Sequence, residues 1–212
     1  MCIRDSDYAT YLVSIENYWG ADGFPAGFPL DGHFSWWGGV LHDDSVSFWN
    51  TGSAMSPGME EMAETGRTTV LVHEEGVNAI NDGSARNIVD VRLPTSPQVQ
   101  GIPGTLSFEI RVVRSHPLLS MVSMLGPSPD WFVGVDDMSF LENRQWRESF
   151  SVDLPLHDGG SKSNATPVLG GPDVIPPLPV GYLRYDMASG TYVRASTPHN
   201  IGRIRFERLR TR

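Results

Sequence analysis

"HPLLSMVSMLGPSPDWFVGV", residues 116–135, is the stretch that decides the fold. Leu118 to Leu125 is apolar throughout except for two small serines. It has the length of a strand, and an uninterrupted apolar strand is one buried on both faces. Gly126-Pro127-Ser128-Pro129 ends it. Each proline fixes its own backbone and biases the residue before it toward extended conformations, so the turn is stiff. A second strand follows over Phe132 to Val135. Asp130 is therefore displayed at a defined place beside Trp131. Two readings stand: a solvated acid in a rigid turn with Trp131 in the core, or a metal or ligand contact at the end of a sandwich, where loops cluster.

The neighbouring segments share the strand-and-turn character. Tyr11, Val13 and Ile15 alternate with Leu12 and Ser14, which predicts a strand running through Trp19. Leu106, Phe108, Ile110 and Val112 alternate in the same way. Further strands are expected at Ser45–Trp49, 89–93, 139–142 and 146–154, with Phe150, Val152 and Leu154 inward. Tyr182 to Tyr192 reads as a hairpin, and Ile204 and Phe206 close the sheet. Ser56 to Glu64 reads as a short helix with Ser56 as N-cap, Pro57 in the first turn and Gly66 as the stop. Residues 69–85 begin β-branched and end in helical spacing, so both readings are open there. The glycine- and proline-rich stretches 20–32 and 161–179 are loops. Many short strands separated by turns give an all-β, antiparallel sandwich with one or two short helices.

The chain has 212 residues, enough for one sizeable core. Its net charge of −9 argues against a nucleic-acid surface. No apolar run reaches the length of a membrane span. Met1 to Ser6 is what ATG TGT ATA AGA GAC AG encodes, which resembles a transposon end used in sequencing libraries. We expect residues 1–6 to be an assembly scar, residues 7–212 to form a single domain, and the native start to be missing. Cys2, the one cysteine, falls in that segment, so disulfides and cysteine zinc sites are not expected.

A second acidic loop, Asp153-Leu154-Pro155-Leu156-His157-Asp158-Gly159-Gly160, also leaves a strand into a glycine turn. If both loops emerge at one end, Asp130 and Asp158 approach, and adjacent carboxylates repel unless a cation lies between them. Calcium, which takes roughly six to eight oxygens in flexible geometry, suits such loops. The six histidines show no helical zinc spacing, and His42-Asp43-Asp44 reads as a solvated turn. Glu60-Glu61 is explained by helix-start electrostatics and Glu74-Glu75 by a solvated face. No nucleophile–base pair is readable, so an enzyme is not expected. Trp36-Trp37 reads either as core packing or as an aromatic platform for sugars or lipid headgroups. Arg203, Arg205, Arg208, Arg210 and Arg212 read as a solvated edge or as a patch for anionic partners.

The opening stretch, followed by Trp146 and "VDLPLHDGG", resembles the spondin domain, the N-terminal module of the F-spondin matrix proteins. The resemblance extends to "HFSWWGGVLHDDSVSFWNTGSAMSPGMEEMAETG", residues 33–66, and to "IGRIRFERL", residues 201–209. It covers about residues 8 to 210 and is nearer to the stand-alone bacterial spondin-domain proteins. It implies a sandwich like that of calcium-dependent phospholipid-binding domains, a secreted or matrix location, and an extracellular protein or glycan partner. The family's calcium is held by the acid of the Pro-Ser-Pro-Asp-Trp motif and by two acids of a later loop. The first carries over to Asp130 and the second to Asp158. The third position holds Lys162. Either its ammonium reaches between Asp130 and Asp158 as an internal cation, or Asp137, Asp153 or a carbonyl completes the site while Lys162 points outward.

Overall fold

A computed structural model describes residues 7–19, 29, 32–91 and 105–209. Residues 1–6, most of 20–32, Arg92, Leu93, Arg210 and Arg212 lie outside the described residues, and with them the expected scar and part of one loop. The architecture is an antiparallel β-sandwich. One sheet has four strands in the order β10 (Ser149–Pro155), β14 (Asn200–Leu209), β1 (Tyr8–Asn17) and β5 (Thr105–Val113). The other runs β13 (Thr191–Ala195), β12 (Gly181–Asp186), β11 (His157–Asp158), β7 (Trp131–Ser139), β6 (Leu118–Gly126), β3 (Trp37–His42) and β4 (Ala85–Val91), with β2 (His33–Phe34) also paired to β6. Leu141–Glu142 (β8) and Gln145–Trp146 (β9) form a small ribbon.

β6 is buried on both sides. Leu119, Met121 and Leu125 face the other sheet and meet Tyr11, Val13, Ile15, Val133 and Phe206 in the main core. Val122 and Met124 face the opposite way, into a second apolar cluster beneath the helices. β7 divides in the same manner: Trp131, Val133 and Val135 belong to the main core and Phe132 to the second cluster. Gly134 is glycine because a β-carbon there would lie 2.5 Å from the Met121 carbonyl oxygen and 2.6 Å from Val122 Cγ1.

The second cluster is roofed by α1 (Pro57–Thr65) and by a helical segment that is π-helical over Leu71–Gly76 and α-helical over Val77–Asp82 (α2). Ser56 caps α1 through a bond from the Met59 N–H, and Gly66 stops it in the left-handed conformation. Glu75 is not on a solvated face. Its carboxylate accepts from the Ser56 hydroxyl at 2.7 Å and the Gly58 N–H at 2.8 Å, tying the second helix to the start of the first. Residues 45–49 form no strand. Phe48 and Trp49 instead plug the helical cluster, with Trp49 edge-on to Phe132 at 5.1 Å. The alternating serines there imitate a strand, but the two bulky rings are adjacent in sequence and both buried.

Phe132 sits at the centre of a ring cluster on this side of the sheet: it packs edge-on to Trp49 and stacks on His157, each at 5.1 Å. Replacing it with alanine removes a fully buried ring, so Phe132→Ala is expected to lower stability by about 3–5 kcal/mol in denaturant unfolding. A loss under about 1 kcal/mol would show that the cluster is not load-sharing at this point.

Candidate metal site

β11 pairs with the first residues of β7, placing Asp158 opposite Trp131 and His157 opposite Phe132. The two acidic loops therefore do emerge at one end of the sandwich. Trp131 is buried in the core against Tyr192, at 4.5 Å between rings, and this anchors the residue before it. Ser128 tightens the turn: its hydroxyl accepts from the Trp131 N–H at 3.1 Å. Asp130 is fully buried. Its Oδ2 accepts from the backbone N–H groups of Ser161 at 2.8 Å and Lys162 at 3.0 Å, and lies 3.2 Å from the Ser161 hydroxyl. Its Oδ1 is buried and has no hydrogen-bond partner among the described residues. Burial, and after it the negative charge of Asp158, push the Asp130 carboxyl up to about 6, against the pull of those donors.

Asp158 Oδ1 accepts from the Gly160 N–H at 2.9 Å, and its Oδ2 lies 3.4 Å from Arg194 Nε. Burial raises this carboxyl too, with Arg194 opposing. Lys162 does not reach between the two acids, nor does it point into solvent. Its ammonium binds Asp173 and Glu64, the latter at 3.2 Å. Glu64, at the end of α1, also accepts from the Ser161 hydroxyl at 2.8 Å, so α1, the loop after β11 and the Asp130 turn are joined through one serine. Asp137 and Asp153 do not complete the site. Asp137 lies 3.6 Å from His42, and Asp153 pairs with Arg203 at 2.8 Å on the other sheet. No three His, Cys, Asp or Glu side chains converge on one point among the described residues. The residues fit a cation through two carboxylates and an orphaned, buried Oδ1, with loop carbonyls and water left to supply the remaining oxygens that calcium takes.

The model of the Spondin_N family matches residues 9–178, a span that contains Asp130, Asp158 and Lys162. This chain belongs to the spondin N-terminal domain family. Human Spondin-2 is 33% identical over 161 residues, Spondin-2 of Rattus norvegicus 31% over 162, and Spondin-1 of Gallus gallus 28% over 160. Each alignment covers 74% of this chain, but only 47% of either Spondin-2 and 20% of the Spondin-1. The chain thus spans about half the length of the first curated relatives it matches.

Elsewhere in this spondin domain the polar groups serve packing. Trp37 is in the core and is no platform, while Trp36 is half-buried and lines a cleft of about 410 Å³ with Met124, Pro127 and Leu169. β14 is not an edge strand. Arg203, Arg205 and Arg208 are matched by Asp153, Glu16 and Glu148 on the strands beside it or at their ends. His157 is pushed down to about 4 by burial and is a neutral ring stacked on Phe132. His42 is buried, not a solvated turn residue. Its Nδ1 donates to the Asp43 carbonyl at 2.8 Å, and its Nε2 lies 2.9 Å from the Ser120 hydroxyl. Sequence reading missed this serine–histidine pair, whose members lie 78 residues apart. Both are buried.

Asp136 sits beside that pair, 3.3 Å from the Ser120 hydroxyl, and burial followed by the charge of Asp137 pushes its carboxyl up to about 6. A raised carboxyl binds its proton more tightly folded than unfolded, so its ionisation reduces stability as pH rises from about 4 to about 6. Asp136→Asn is therefore expected to gain stability relative to the parent across that window and hold the gain above it. Denaturant unfolding at pH 4, 5, 6 and 7 measures this, and a pH-independent difference would contradict it.

Proposed function

We propose that this spondin domain is a secreted, non-enzymatic module of adhesion or matrix interaction whose loop end holds a calcium ion between Asp130 and Asp158. The observation that carries the reading is Asp130 Oδ1, a carboxylate oxygen buried with no donor beside a second acid. Such an atom is costly to leave unmatched, and a bound cation offsets both the desolvation and the repulsion. Calcium would supply positive charge there, and the chain's own contribution is the rigid turn that holds Asp130 and the backbone N–H groups that orient its other oxygen.

Support for the interaction role comes from the loop that closes the site. Between Ser161 and Pro179 it exposes Val168, Leu169, Ile175 and Leu178, with Ile175 86% exposed. Apolar side chains held out on a stiff loop suit contact with a protein partner. Membership beside the Spondin-1 and Spondin-2 proteins supports the extracellular setting. No helix among the described residues is long and apolar enough to cross a membrane. The alternative of a glycan- or lipid-headgroup-binding surface built on Trp36 and Trp37 loses half its platform to the core.

Thermal unfolding in millimolar calcium and in chelator tests the site. Binding to the native state alone adds about 2.7 kcal/mol at a hundredfold excess over Kd. The parent is expected to unfold at higher temperature with calcium, and Asp130→Asn to show no calcium dependence. Identical unfolding of the parent in both buffers would contradict the site. Retention of the domain on a panel of immobilised matrix glycoproteins tests the adhesive role, and no retention on any surface would contradict it.

A further inference from the structure

Resting on the reading of Asp130 and Asp158 as a cation site, we propose that Arg194 is the built-in counter-ion of Asp158 in this acid pair, and that a divalent cation binds by displacing it. The link spans three strands. Asp158 in β11 is paired with Gly181 in β12, and Arg194 stands on β13, opposite Leu183. The arginine reaches Asp158 by passing over Gly181, where a β-carbon would lie 2.6 Å from Nη2 and 3.0 Å from Nε. The absent side chain at 181 is what opens the path. At the far end the guanidinium is held by two acceptors: Asp158 Oδ2, 3.4 Å from Nε, and the Pro179 carbonyl, which takes Nη2. A planar fork with several donors can satisfy both, which an ammonium on a flexible stem does less well.

This arrangement decides what a cation meets on arrival. One oxygen of Asp158 already accepts from Gly160, so Oδ2 is the oxygen open to a metal, and Arg194 stands on it. A guanidinium and a calcium ion repel at that distance. Arg194 is the more exposed partner, its side chain 34% accessible against 13% for Asp158, so it can swing toward solvent while the acid stays in place. The residue at the family's third ligand position plays no such part, because the Lys162 ammonium is held by Glu64 and Asp173. Pro179 ends the loop that closes the site, so displacing Arg194 also frees one of that loop's tethers.

Calorimetric titration of calcium chloride into the parent and into Arg194→Gln, with thermal unfolding of both in chelator, tests the proposal. Arg194→Gln is expected to bind calcium more tightly, on the order of tenfold, because the competing charge is gone. In chelator it is expected to unfold at lower temperature than the parent, and adding Asp158→Asn is expected to restore the loss, since the charge that Arg194 balanced is then gone as well. Gly181→Ala provides a second route: the added methyl forces the guanidinium off its path without removing the charge, and the same gain in calcium affinity is expected. Equal, measurable affinities in parent and variants, with equal unfolding in chelator, would overturn the role of Arg194 and leave the cation site standing. No calcium heat in any of the proteins would overturn the cation site and the proposal with it.

Discussion

The structure depends on β6 being buried on both faces. A strand in that position can carry no polar side chain larger than serine, and it needs apolar cover from two directions. The four-stranded sheet covers one face and the α1 and α2 layer covers the other. Its strand neighbours must also come close: Gly39 in β3 and Gly134 in β7 both press on β6 backbone, each with a hypothetical β-carbon 2.5 Å from a carbonyl oxygen of Ser120 or Met121. Once β6 and β7 are fixed at this depth, the turn between them is fixed too. Trp131 must enter the core, and Asp130, one residue earlier, is carried below the surface with it.

That burial creates the electrostatic problem on which the site turns. A carboxylate removed from water needs donors or a counter-charge. The turn after β11 supplies two backbone N–H groups to Oδ2, and Gly160, at φ 81°, belongs to the same turn. Nothing among the described residues supplies Oδ1. The nearest positive charges are committed elsewhere, Lys162 to Glu64 and Asp173, and Arg194 to Asp158. Burial raises both carboxyls, and Asp130, with no guanidinium facing it among the described residues, rises to about 6. Hydrogen bonds to only one oxygen orient a carboxylate without neutralising it, and that is a suitable state for a group that receives a cation.

Much of this was legible in the sequence, for identifiable reasons. The alternation in β1 and β5, the unbroken apolar run of β6 and the cap residues Ser56 and Gly66 are local signals, and each element formed where its signal lay. Local signals failed where tertiary burial overrode them. Val46, Phe48 and Trp49 looked like a strand and became a plug under the helices, and the paired tryptophans at 36 and 37 split between cleft and core. The segment from residue 69 stayed open because its β-branched start turns helical only once it packs on β3 and α1. At the site, Asp130 and Asp158 could be singled out because each sits in a turn with its own signature. Arg194 and Glu64 could not. Their roles arise from strand order and from the missing side chain of Gly181, which no short stretch of sequence encodes.

The proposed exchange, at the loop end of this spondin domain, replaces an internal guanidinium on a buried, half-satisfied carboxylate pair with a divalent cation. Diffraction from crystals grown with and without calcium tests it most directly. An ion peak is expected in contact with Asp130 Oδ1 and the Asp158 carboxylate, with the Arg194 side chain moved off Asp158 in the calcium form alone. Arg194 in place on Asp158 in both forms, with no peak beside Asp130, would contradict it.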